Sequence, residues 1–125
     1  MLNPLVATGL PPGLSLEQVY RHFFEYLLKH TRRSFEKRVL DGPFVWKRLF
    51  STADIVIAHP NGWDVKEQQF LRKAAVDAGL VSNEDKTSRV TFVTEGEASL
   101  HYCMFHADLA PKLKVSRFSF DTNLV

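Results

Sequence analysis

The chain has 125 residues, 45% apolar and 24% charged, with ten Phe and two Trp; this is bulk enough for one packed domain and excludes disorder over most of the length. A net charge of +2 is a weak reason to expect a polyanionic partner, and a single cysteine, Cys103, excludes an intramolecular disulfide framework and a multi-cysteine zinc site. Met1 to Leu10 carries no charged leader before its apolar residues and no apolar run reaches about 18 residues, so neither a secretory signal nor a membrane span is expected and the chain reads as cytoplasmic.

Residues 1–13, MLNPLVATGLPPG, hold three prolines and two glycines and read as an irregular arm. Ser15 followed by Gln18 is a capping box, with Leu14 and Val19 placed for a hydrophobic staple. Leu16, Val19, Tyr20, Phe23, Leu27 and Leu28 then recur at helical spacing, which predicts a helix to about Arg38, where Asp41-Gly42-Pro43 breaks it. Val45 to Phe50 reads as a short helical turn.

Asp54 to His59 is a short apolar run rich in β-branched residues, the pattern of a strand covered on both faces. Pro60-Asn61-Gly62-Trp63 turns the chain, with Trp63 expected beneath the turn. Asp64 caps a second helix with Glu67 three residues on, and Gly79 ends it. Leu71, Ala74, Ala75 and Ala78 give that helix a narrow face able to lie close to a sheet. Ser82 to Ser88 reads as a polar loop, Arg89 to Thr94 as a second strand, and a third helix runs from Glu95 or Gly96 to about His106. The predicted order is α-β-α-β-α, an α/β fold whose βαβ unit makes a short parallel sheet.

The segments IVIAHPNGWDVKEQQFLRKAAVDAGL and VTFVTEGEASLHYCM resemble the actin-like ATPase domain of the seventy-kilodalton heat-shock chaperones. That family has a strand ending in proline, a helix ending Ala-Gly-Leu, and a strand ending in Asn-Glu-Pro. Its divergent branch carries His-Pro-Asn-Gly-Trp and Thr-Glu-Gly-Glu-Ala-Ser, and the upstream LPPG and EQVYRHFFEYLLKHT are similar to that branch too. The likeness runs from Leu10 to Leu113, and it implies a partial ribonuclease-H-like, actin-like ATPase domain over residues 14–113, followed by a tail of unknown role over 114–125.

The resemblance implies that Glu95 stands where family members place the carboxylate that orients water, or magnesium's water shell, near the γ-phosphate. It implies that Pro60 stands where nucleotide state is relayed. ATP and magnesium are the parent family's cofactors. Within these 125 residues, however, neither glycine-rich phosphate loop of the family is present, nor is its adenosine lobe. Backbone amides of such loops are what cradle phosphates. The expectation is therefore a truncated segment that neither catalyses nor binds a cofactor alone. Its partner is expected to be a complementary lobe, or further copies of itself, through strand 54–59; the alternative is a protein-interaction module using that edge.

Blander readings account for most other features. Thr94 and Glu97 form a capping box, and Glu95 suits the positive end of a helix. Lys29 to Arg33 with Lys37 and Arg38 reads as a solvated helix face; no aromatic stacking platform interleaves with them, so no nucleic-acid partner is expected. His101 and His106 are five residues apart, and His22 and His30 eight apart, so none shares a helical face at metal-ligand spacing and no metal is expected. Cys103, in an apolar stretch, is expected to be a buried small residue.

Overall fold

A computed structural model describes residues 9–107. Most of the arm 1–13, and the whole tail 114–125, lie outside the described residues. The elements are helix α1 (Leu16–Arg38), helix α2 (Gly42–Phe50), strand β1 (Ile55–His59), helix α3 (Val65–Asp77), the single-turn helix α4 (Lys86–Arg89), strand β2 (Val90–Thr94) and helix α5 (Glu95–His106). β1 and β2 form a two-stranded parallel sheet. The register pairs Ile55 with Val90 and runs to His59 with Thr94. The chain is thus mixed α/β, with α3 and α4 in the crossover between the strands.

The ends of the helices follow from local chemistry. Ser15 accepts from the Gln18 amide, and the Gln18 side chain accepts from the Ser15 amide at 2.8 Å. The same reciprocal box closes α3 through Asp64 and Glu67 and α5 through Thr94 and Glu97. Each such cap contributes about 1 kcal/mol. At the far end of α3, Gly79 takes φ 78° and the Leu80 and Gly79 amides donate back to Ala75 and Val76. That is a Schellman close, which frees the chain to turn toward β2.

Between α1 and α2 the corner is tighter than a simple break. Asp41 adopts the left-handed conformation with φ 54°, and Gly42 lies against the Glu36 backbone where a side chain has no room. Pro43 has the fixed φ of a first helical turn. As a result α2 starts at Gly42, three residues ahead of the expected turn at Val45.

The core is small. Phe24 of α1 packs with Leu71, Ala74, Ala75, Ala78, Val81 and Val90. Tyr20 joins α1 to α3, its ring edge-on to Phe70 at 5.2 Å. Ile55, Ile57 and Phe92 add their inward faces. The alanine face of α3 works as its sequence implies, since small residues let the helix approach closely.

Two arginines brace the other end of the sheet. Arg89 donates to the carbonyls of Ala53 at 3.0 Å and Phe50 at 2.7 Å, fastening the start of β2 to the segment entering β1. Arg72 of α3 donates to Lys86 at 3.0 Å and Val90 at 3.2 Å, with its guanidinium 4.9 Å from the centre of the Phe92 ring.

Three further expectations need correction. β1 is covered on one face only: Val56 is 54% exposed and Ala58 is exposed as well. An uncharged apolar run does not distinguish two covered faces from one covered face beside an open groove. The loop Ser82 to Ser88 contains the start of α4, which consumes Arg89, so β2 begins one residue later than expected. Cys103 is exposed, because α5 has no buried residue at all. Phe23 and Leu27 stay 52% and 42% exposed, so only part of the apolar stripe of α1 is packed.

Candidate functional site

In an open parallel sheet, ligands collect beyond the carboxyl ends of the strands. Here that end is made by the turn Pro60 to Trp63 after β1 and by the start of α5 after β2. His59 and Thr94, the last residues of β1 and β2, are register partners, so Pro60 and Glu95 follow the ends of paired strands, Glu95 as the first residue of α5. The two residues that the sequence singled out thus lie at the same end of the sheet. Both are exposed.

The turn and the helix are tied directly. Asn61 Oδ1 accepts from the Gly96 amide at 3.1 Å. Thr94 Oγ1 accepts from the Glu97 amide at 3.1 Å, and a Glu97 carboxylate oxygen accepts from the Thr94 amide at 3.1 Å. The Gly96 and Glu97 amides belong to the first turn of α5 and are among the donors that would otherwise greet an anion. They are already engaged by side chains, and Glu95 and Glu97 put negative charge around them. A phosphate arriving here would have to displace Asn61 or Thr94 and approach two carboxylates.

Below the turn lies a residue that sequence reading missed. His59 is only 2% exposed. Its Nδ1 is 2.9 Å from the Pro60 carbonyl oxygen, which can only accept, so Nδ1 carries the proton. Nε2 then accepts from the Gln68 amide nitrogen at 3.1 Å. The ring stacks on Trp63 at 6.4 Å with 14° between planes. His59 thus fixes the Pro60 carbonyl and links the turn to α3. The signal in the sequence was the alternation of Ile55, Ile57 and His59 onto the inward face.

The second feature is a groove of about 580 Å³ along β1. Ile55, Val56, Ile57 and Ala58 all line it, facing α1 on one side and α2 on the other. Among the described residues, no cluster of three or more His, Cys, Asp or Glu could hold a metal, and no helix is long and apolar enough to cross a membrane. The basic residues Lys29, Arg32, Arg33, Lys37 and Arg38 of α1 are exposed, and Arg32 pairs with Glu36 at 2.7 Å.

Comparison with protein-family models, curated proteins and solved structures gives no match.

Proposed function

We propose that this chain is a binding segment of the actin-like ATPase kind found in heat-shock chaperones of the seventy-kilodalton class, non-catalytic by itself and completed by a partner piece. The ATPase kinship rests on the two motifs in order, and it is supported by the placement of Pro60 and Glu95 just past the ends of two paired parallel strands. The binding part rests on one observation above all. β1 pairs with β2 on one edge and with no other strand among the described residues, and its second edge faces an apolar groove. The absence of glycine phosphate loops from the 125 residues, and the engaged amides at the start of α5, argue against phosphate binding by the segment alone.

The test is reconstitution. Calorimetry of the chain with ATP–magnesium should give no isotherm. Mixing it with a partner piece that supplies both phosphate loops and an adenosine lobe should restore nucleotide binding. In that assembly Glu95→Gln should slow hydrolysis about tenfold or more with ATP binding kept, as for a water-orienting carboxylate. Micromolar one-to-one binding of ATP by the chain alone would overturn the reading. A second reading, a stand-alone interaction module, draws on the same open edge; it is favoured if protein partners bind but no partner restores nucleotide binding.

A further inference from the structure

Successive residues of a strand point to opposite faces. A groove lined by four in a row, Ile55 to Ala58, therefore lies against the strand's edge, where backbone N–H and C=O groups project. Such an edge is a template for another strand. Natural edges are guarded by charge, proline or a bulge, and β1 has none of these along its length.

The walls say what kind of strand fits. α1 contributes Phe23, Leu27 and Leu28, and α2 contributes Trp46, Leu49 and Phe50. Among the described residues no charged one lines the groove, so a charged side chain placed in it would be desolvated without a counterion from them. The walls also bear on a second copy. Its β1 edge would stand behind its own α1 and α2, whereas strand pairing needs backbones about 4.8 Å apart. Two such edges would bring four helices into the contact, whereas a strand free of flanking helices brings none.

We propose that the groove between β1 and the α1–α2 pair binds one uncharged, apolar peptide segment in extended form, hydrogen-bonded to β1 as an added strand. Main-chain bonds to β1 hold such a ligand and the groove selects its alternate side chains. This rests on the reading of the chain as a binding piece and names the chemistry of what it binds.

The probe is a capped seven-residue peptide alternating valine with threonine, titrated into the full chain while the fluorescence of Trp46 and Trp63 together is followed and amide exchange is measured over Ile55 to Ala58. Saturable binding is expected, with slowed exchange in β1. Methylating the peptide nitrogens that face β1 keeps the side chains and removes the bonds; losing one or two of them should weaken binding about tenfold or more. Phe23→Ser on the exposed wall and Val56→Lys beside the edge should each weaken binding as well. Should one variant fail to fold, the other and the methylated peptide still decide.

Equal affinity for the methylated peptide, or preference for an amphipathic helical peptide, would overturn strand addition. So would sedimentation showing a dimer with β1 protected before any peptide is added, since that makes the occupant a second copy. An ATP–magnesium titration on the same sample separates the two failures. A nucleotide isotherm removes the non-catalytic reading and leaves the groove result standing, whereas insensitivity to methylation removes only the strand.

Discussion

Asp41 and Gly42 make the corner on which α1 and α2 meet. A methyl group on Gly42 would overlap the Glu36 carbonyl oxygen and Cα, both backbone atoms that cannot swing aside. Gly42→Ala should therefore destabilise by about 1–3 kcal/mol, the usual range for overpacking. Gly96 makes the control, since its added methyl would meet only the end of the Asn61 side chain, 3.1 Å away at its nearest. Urea unfolding of both variants measures the difference; an unchanged midpoint for Gly42→Ala would show that the corner relaxes. Asp64 sets a pH dependence at the same scale. Its carboxyl is held below its ordinary value, chiefly by the Lys66 backbone N–H and then by the Glu67 side chain. A lowered folded-state value means that the cap's stabilisation is complete above the ordinary carboxylate range and is lost as pH falls through the lowered value. Asp64→Asn keeps an acceptor but does not titrate, so its stability deficit at neutral pH should shrink on acidification toward about pH 3. Urea midpoints across that range would check it, and a constant gap would contradict it.

At the scale of elements, Arg89 braces the sheet to the segment before it. Its guanidinium, 15% exposed at the side chain, holds the carbonyls of Phe50 and Ala53 and lies 3.7 Å from Asp85. Arg89→Met keeps the stem and removes the donors, which should cost about 1.5–3 kcal/mol, the range for hydrogen bonds to a charged group. Amide exchange should then quicken in β1 before it does in α3. Much of this architecture was legible in the sequence, since each α1, α3 and α5 start carries a reciprocal cap and Gly79 marks its close. The parallel pairing followed from an apolar run, a helix and a second run. Long-range polar ties were not legible: nothing local to Arg89, Arg72 or Asn61 says that they reach 36, 18 and 35 residues along the chain. The same limit hid His59, whose burial depends on Trp63 and Gln68 closing over it. Cys103 shows the converse error, because an apolar stretch in sequence does not by itself make a buried helix face, and α5 has no buried residue.

At the scale of the whole molecule, the core that the described residues form is slight for the surface it must hold. Three of its seven buried apolar residues are alanines, and Val90, at 1% exposure, is the sole large side chain that is fully enclosed among the described residues. Alanine permits close approach but removes little apolar area from water, and each Å² counts for roughly 25 cal/mol. A parallel pair of strands is normally sheltered inside a larger sheet, whereas here Val56 and the groove walls Phe23 and Leu49 remain about half exposed. The chain alone should therefore unfold with a free energy at or below about 5 kcal/mol, the low end for natural domains. A groove ligand binds the folded form only, so it should stabilise by mass action, by about 2.7 kcal/mol at a hundredfold excess over its dissociation constant. Urea unfolding with and without the alternating valine–threonine peptide measures both quantities. The two are linked: the apolar surface that weakens the free chain is the surface that the strand would cover. A free chain stable by about 10 kcal/mol, with a midpoint that ignores saturating peptide, would show that the exposed edge of β1 costs nothing and awaits no partner.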